Sequence, residues 1–344
     1  MESQVTPNIF APAHRSLWHL SQPSIWSLDG NQVAKDPSIT VLRSLFDQPR
    51  WLEAYNLYDD KGSHLFELIC ELPEYYSTRT ESSILEKEAQ RIIELAPVEC
   101  IVELGAGFSK KTLHLLKEQV RQRSGGIFAP LDVSPTGLAV SREVIREQFP
   151  QLTFHGLQAQ FEEGMEGIEK SLPTLFVFLG STIGNFSHHE FVRFFRQMSA
   201  SMGRRDYLLL GVDRVKDVEV MQRAYNDSQG ITAQFILNVF ENVNRLVQSN
   251  FDQQKMRFHS RYNPDLQRIE MSSVSTEDQE ITFPAHGASF VWKEQQKILV
   301  EISRKFDPLE LQKQLKFFGL TTVEHFSDPK QWFSLLLLRK TPPD

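Results

Sequence analysis

Cysteine is nearly absent from this chain. Cys70 and Cys100 are its only two in 344 residues. Two are too few for a disulfide framework, and neither sits in a metal-ligand spacing. The ten histidines are scattered, and His188-His189, at the start of an expected helix, reads as solvated surface. No metal is therefore expected. No apolar run reaches the roughly 18 residues that a membrane span needs, and no basic-then-apolar leader opens the sequence. The expectation is no membrane partner and a reducing cytoplasm. Positive charge is also in deficit: the formal net charge is −7. A general nucleic-acid binder would show a basic face, so no nucleic-acid partner is expected. A Gly-x-Ser-x-Gly elbow is missing, and so is any triad of nucleophile, base and acid.

What the chain does hold is a strand that runs into a glycine turn, Ile101-Val102-Glu103-Leu104-Gly105-Ala106-Gly107. A helical pattern follows. Asp132 comes 25 residues after Gly107, at the end of the next apolar run. This order is how a doubly wound α/β domain holds a nucleoside: glycines admit the ligand to the backbone, and the second-strand acid accepts from ribose hydroxyls. A dinucleotide would want a third glycine for its pyrophosphate. Here that region reads Phe108-Ser109-Lys110-Lys111, which disfavours a nicotinamide oxidoreductase and points to S-adenosylmethionine. The bland reading of Gly-x-Gly is an ordinary tight turn.

Strands and helices alternate around this motif. Leu42–Leu57 and Ser63–Cys70 read as helical. Thr78 and Glu81 have capping-box spacing, followed by the stripe Leu85, Ala89, Ile92, Ile93 and Ala96. Strands are expected at Cys100–Leu104, Ile127–Leu131, Leu152–Leu157, Thr174–Leu179 and Tyr207–Val212, with helices between them. Thr174–Leu179 is continuously apolar, as a strand buried on both faces should be. From about 217 to 295 the rhythm breaks into two helical stretches and two alternating ones. It resumes with Ile298–Ser303, a helix from Pro308 to Phe318, and two closing strands, Thr321–Phe326 and Phe333–Leu338, that suit an antiparallel hairpin. The fold expected is α/β: a Rossmann-like core of class I S-adenosylmethionine-dependent methyltransferase type, with a second α+β substrate-binding domain. The boundaries read from sequence are 1–75 plus 217–296 for the second domain and 76–216 plus 297–344 for the core. Residues 1 to about 40 read as an extension packed by Trp18 and Trp26.

Ligands in open α/β sheets lie beyond the carboxyl ends of the strands. That rule selects Gly105, Gly107, Asp132, Gln160-Phe161, the loop Gly180–Asn185 that contains Ser181, and Asp213. Methyl transfer needs placement of a neutral nucleophile more than acid–base machinery. Glu301 and Ser303 lie two apart in a strand and share a face: either a wet polar face, or an acceptor pair at a pocket wall suited to an imidazole N–H. Asn185 is either a turn residue or a substrate anchor. Tyr75-Tyr76 are core aromatics or site residues, and Tyr225 is a surface aromatic or an anchor. Lys110-Lys111 would ordinarily be a solvated helix face.

Taken together these segments resemble the histidine-specific Nα-methyltransferases of ergothioneine biosynthesis, from about Tyr58 to the C-terminus. The matching stretches include residues 58–66, 72–81, 102–107, 178–186, 224–227, 268–271 and 300–306. The resemblance implies that S-adenosylmethionine is the cofactor and L-histidine the substrate, trimethylated to hercynine. It implies that Asn185 and Tyr225 hold the substrate carboxylate, and that Tyr75, Glu301 and Ser303 line the imidazole subsite with Met271 close by. Tyr58, Gly105, Gly107, Lys111, Asp132, Gln160, Phe161 and Ser181 fall in the cofactor site, and Tyr58, Asn185 and Tyr225 at the reacting centre. One departure is Gln160, where such enzymes usually carry an aspartate; its carbonyl can still accept from an adenine amine, but the charge is gone. A carboxylate facing an imidazole N–H makes a charge-assisted bond, which favours histidine over tryptophan or another aromatic amino acid as substrate. The other rival, a silent cofactor-binding or docking protein, would be expected to lack the Asn185 and Tyr225 anchors. The chain is expected to be monomeric, with other ergothioneine-pathway enzymes as the only partners considered.

Overall fold

The computed structural model describes residues 18–22, 24–28, 37–166, 168 and 172–341. Most of the expected N-terminal extension, including the side chain of Trp18, lies outside them.

A large sheet carries the molecule. Its strands in chain order are β1 (Trp18–Gln22), β2 (Ile25–Leu28), β3 (Cys100–Leu104), β4 (Gly126–Asp132), β5 (Leu152–Phe154), β6 (Gly156–Gln158), β7 (Thr174–Phe178) and β8 (Tyr207–Asp213), with two more near the C-terminus. A second, three-stranded sheet uses β9 (Met256–Asn263), β10 (Arg268–Ser275) and β13 (Lys297–Arg304). A hairpin is formed by β11 (Gln279–Phe283) and β12 (Ala288–Trp292). The closing pair is β14 (Leu320–Ser327) and β15 (Phe333–Lys340). The large sheet runs β1-β2-β6-β4-β3-β7-β8-β15-β14, with β5 beside β4. From β6 to β8 neighbours are parallel, and β15 is antiparallel to both β8 and β14. That order, with one antiparallel strand inserted before the last, is the class I methyltransferase sheet the sequence predicts.

Alternation along the strands sorts the two faces. In β3, Cys100, Val102 and Leu104 pack on one side and Ile101 on the other, as period-two geometry requires. One side is covered by α7 (His188–Ser201) and α10 (Pro308–Lys316), which present Phe191, Phe194, Phe195, Met198, Leu311 and Leu315. The other is covered by α3 (Tyr76–Leu95), α4 (Leu113–Arg123) and α5 (Pro135–Gln148). A third cluster builds the rest of the molecule, where α1 (Pro37–Phe46), α2 (Asp60–Glu71), α8 (Val218–Ala224) and α9 (Ile231–Val247) pack on the inner face of the three-stranded sheet. The short helix α6 (Phe161–Glu166) follows β6.

Several expectations are corrected. The helix expected over Leu42–Leu57 ends at Phe46, because Pro49 cannot continue it, and only a 3-10 turn, Ala54–Leu57, follows. Leu152–Leu157 is two strands broken at His155. Thr78 and Glu81 form no capping box: α3 begins at Tyr76, Thr78 Oγ1 donates to Cys70 Sγ, and Glu81 is fully buried. Two segments cross the boundaries read from sequence. Residues 25–27, assigned to the second domain, pair in parallel with β6 of the large sheet. Residues 297–304, assigned to the core, form β13 and pair with β10. Both strands are apolar enough to suit either sheet, and only long-range pairing decides between them.

Candidate active site

Seven of the residues singled out by sequence line one pocket: Tyr58, Tyr75, Asn185, Tyr225, Met271, Glu301 and Ser303. They come from six places in the chain. Tyr58 ends the 3-10 turn before α2, whose start is tied by Asp59 accepting from Gly62 N–H at 2.8 Å. Tyr75 stands immediately before α3, and Asn185 ends a 3-10 turn, Thr182–Asn185, after β7. Tyr225 closes α8. The next segment is held by Asp227, whose carboxylate accepts from Ile231 and Thr232 N–H at 2.9 and 2.8 Å.

Met271 and Glu301 face each other across the β10–β13 ladder, and Ile269 faces Ser303. The ladder slips between Met271 and Ser272: Ser272 pairs with Leu299, so Val300 and Glu301 together oppose one step of β10. This β-bulge changes the parity of β13. Ile298 and Val300 point into the apolar cluster, and beyond the bulge Glu301 and Ser303 line the pocket on that same inner side. Strict alternation from Ile298 would have turned Glu301 to the outer face.

Glu301 is 8% exposed. Burial pushes its carboxyl up to about 8, against a smaller opposing pull from the Lys305 ammonium. Asn185 Nδ2 donates to Glu301 Oε1 at 2.9 Å. Tyr75 is buried and Tyr58 partly so, and loss of solvent holds both phenols well above their ordinary value, with Glu301 adding to the effect. Tyr75 meets Tyr225 edge-on, with ring centroids 5.7 Å apart. Phe66 and Phe235 both pack edge-on against Tyr58 and also line the pocket.

The residues expected at a cofactor form a second group at the carboxyl ends of β3, β4 and β6. Gly105 and Gly107 have φ of +67° and +50°, a region where a side chain is strained. A Cβ on Gly105 would stand 3.2 Å from the Phe161 ring. Asp132 accepts from Gly107 N–H at 2.8 Å and from Ser134 N–H at 2.9 Å, so it shapes the glycine turn while its carboxylate keeps further lone pairs free for hydroxyls. Gln160 is exposed beside Phe161. Ser181 is buried with its oxygen accepting from Asp213 N–H at 2.9 Å, so its side chain is engaged by the fold. Lys111 joins the two groups. It pairs with the buried carboxylate of Glu81, which also accepts from Gly180 N–H at 2.9 Å.

An S-adenosylmethionine molecule fits this second group. Glu103, at the end of β3, is buried and its Oε2 has no hydrogen-bond partner. Burial raises its carboxyl to about 7, with Thr112 as the main counter-effect. An orphaned buried acceptor of this kind is stabilised by a ligand cation, and an amino-acid ammonium supplies one. Nothing lies within 4 Å of a Cβ built on Gly107, so the turn is open where a ligand would approach.

Sequence reasoning missed Glu81, Lys305 and Lys216. Glu81 was read as a helix cap and Lys305 only as part of a matching stretch. A lysine or glutamate bears no sequence mark of burial; only its neighbours in space bury it. Among the described residues no group of histidine, cysteine, aspartate and glutamate could hold a metal, and no helix is long and apolar enough to cross a membrane.

Residues 36–340 match the family described as histidine-specific methyltransferase, SAM-dependent. A histidine N-alpha-methyltransferase from Mycobacterium tuberculosis is 34% identical over 315 residues, covering 90% of this chain and 98% of the relative. One of the same description from Mycolicibacterium smegmatis is 34% identical over 312 residues, covering 89% and 97%. Ergothioneine biosynthesis protein 1 of Neurospora crassa is 32% identical over 230 residues, covering 64% of this chain and 26% of the larger protein.

Proposed function

This chain belongs to the SAM-dependent, histidine-specific methyltransferases, and from that premise we propose that it trimethylates the α-amino group of L-histidine to hercynine, the first step of ergothioneine biosynthesis. The observation that carries the reading is the bulge on β13, which turns a carboxyl and a hydroxyl two residues apart into a pocket walled by aromatics. Glu301 and Ser303 suit the two nitrogens of an imidazole. A pocket built around buried polar groups rejects side chains that leave them unpaired by as much as ~10⁴. Indole or phenol would do so.

When bound, S-adenosylmethionine supplies an electrophilic methyl group on a sulfonium. The protein has to hold the amine in line with it and keep water out. Glu301, Ser303 and Met271 hold the ring; Asn185 and Tyr225 hold the carboxylate; the α-amine is then aimed toward the glycine turn. Tyr58 and Tyr75 are phenols at neutral pH, as tyrosines ordinarily are, and loss of solvent moves them further from ionising. They act as neutral hydrogen-bonding walls of the amine subsite. Each transfer forms an N–C bond, breaks a C–S bond with its electron pair left on sulfur, and releases one proton. The reading requires no second chain, since every residue it uses lies on this one.

The direct test is mass spectrometry of L-histidine incubated with S-adenosylmethionine and the protein. Gains of one, two and three methyl groups are expected. Untouched histidine alongside methylated tryptophan would overturn the substrate assignment.

A further inference from the structure

Behind the pocket wall lies a cluster of charges that the reading above does not use. Lys305 follows β13 and its side chain is fully buried. Its Nζ donates to Asp213 Oδ2 at 2.8 Å, to Tyr225 Oη at 2.7 Å and to Ser303 Oγ at 2.8 Å. Asp213, at the end of β8, also accepts from Tyr76 Oη at 2.8 Å and pairs with Lys216, whose side chain is 5% exposed. Two ammonium groups therefore touch one carboxylate, so positive charge is in excess among the groups in contact under the pocket floor; burial lowers Lys216 to about 8, and Asp213 and, from further off, Asp328 oppose that. A buried charge in excess is costly unless something compensates it. Among the described residues lining the pocket there is no lysine or arginine.

The hydrogen-bond accounting is restrictive. An ammonium only donates, so Tyr225 Oη and Ser303 Oγ both accept from Lys305. The two hydroxyls also share a 2.9 Å bond, in which one of them is the donor. One hydroxyl hydrogen is left over. It cannot turn back toward Lys305, and both residues line the pocket, so it points inward.

We propose that Lys305 is a positioning residue for carboxylate recognition: by donating to both hydroxyls it leaves one O–H of the Tyr225–Ser303 pair to point into the pocket, and its charge is the buried counter-charge that selects an α-amino acid over the corresponding amine. The inference rests on the histidine reading. The substrate carboxylate then balances the positive charge of Lys305, although it meets only the Tyr225 hydroxyl and the Asn185 amide directly. Asp213 keeps its carboxylate ionised for this purpose: burial works to raise it, and the two lysines more than reverse that, so that it lies below its ordinary value.

The test compares L-histidine with histamine, its decarboxylated analogue, by titration calorimetry in the presence of S-adenosylhomocysteine. Wild-type protein is expected to favour histidine by about 100-fold, the scale of a charge-assisted hydrogen bond. Lys305→Gln keeps a donor but removes the charge; Lys305→Met removes both. Each should bring the two dissociation constants to within about threefold of each other, with histamine affinity little changed. A purely structural role would weaken both ligands alike, and either that result or an unchanged preference overturns the proposal. Should neither variant bind S-adenosylhomocysteine, Asp213→Asn decides: it enlarges the buried positive excess with the Tyr225 hydroxyl still in place and must strengthen the preference for histidine, and an unchanged or weaker preference overturns the proposal. Failure of the wild type to methylate histidine would instead sink the underlying reading, which the mass-spectrometric assay detects separately.

Discussion

Asn185 Nδ2 lies 2.9 Å from Glu301 Oε1, bonding the end of the turn after β7 to the bulge of β13. The bond joins the side chain expected to grip the substrate carboxylate to the one expected to grip its ring. An amide has two N–H groups, so one orients Glu301 while the other stays free for the ligand. This makes Glu301 a ligand-binding group with a defined orientation, and it yields the first prediction. Glu301→Ala should lower kcat/KM for histidine by about 10²-fold, the scale of leaving a buried ligand group without its hydrogen-bond partner. Affinity for S-adenosylhomocysteine should stay within about twofold. Isothermal titration beside steady-state kinetics checks both. Equal loss of the two would make Glu301 a structural residue.

Glu301 also sets a dependence of stability on pH. Its carboxyl stands at about 8 in the folded protein against 4.5 unfolded. Below pH 4.5 both states are protonated and the site costs nothing. Between 4.5 and about 8 the unfolded chain ionises while the folded one keeps its proton, so stability falls as pH rises. Above 8 the whole penalty is present, on the order of a few kcal/mol. Glu301→Gln keeps the shape and removes the proton. Its melting temperature relative to wild type should therefore rise by several degrees between pH 5 and pH 9. A constant difference across that range in calorimetry would contradict the burial argument.

Glu81 offers a third test. It is fully buried, pairs with Lys111, and accepts the Gly180 N–H. Glu81→Ala would strand a backbone donor and a partly buried ammonium together, at a cost of roughly 3–5 kcal/mol. Lys111 would also lose its orientation toward the cofactor site, so S-adenosylhomocysteine should bind about tenfold more weakly. Thermal melts with and without that ligand separate the two effects. A variant that melts like wild type would show that the Glu81–Lys111 pair does not support the fold.

Gln160 gives a prediction in the opposite direction. It is exposed beside Phe161, and the resemblance drawn from the sequence implies a carboxylate there in similar enzymes. Hydrogen bonds to a charged acceptor exceed neutral ones by roughly 1 kcal/mol. Gln160→Asp should therefore tighten S-adenosylhomocysteine about fivefold without changing turnover at saturating cofactor. An unchanged dissociation constant would mean that this side chain does not reach the adenine.

Much of the fold was legible because local signals and burial agreed. The apolar runs at Cys100–Leu104 and Thr174–Phe178 are strands buried on both faces, as the inner strands of a sheet covered by helices on both sides should be. The glycine turn with Asp132 was legible for a similar reason: two positive φ values and a carboxylate bonded to the turn leave little choice of residue. The hairpin of β11 and β12 was not legible, since its alternation is short and interrupted. Nor was the membership of Ile25–Leu28 or Lys297–Arg304, each of which pairs with strands distant in sequence.

By itself the sequence determined the alternation of strands and helices and the cofactor turn, because periodicity and turn chemistry are local properties. Tertiary structure alone decided which way Glu301 faces and which ionic groups are buried. Facing depends on a one-residue slip in a ladder between Met271 and Ser272, which no pattern of apolar and polar residues records. Burial of Lys305, Asp213 and Glu81 depends on segments far apart in the chain closing over them, and a charge acquires its meaning only from the groups that exclude water around it.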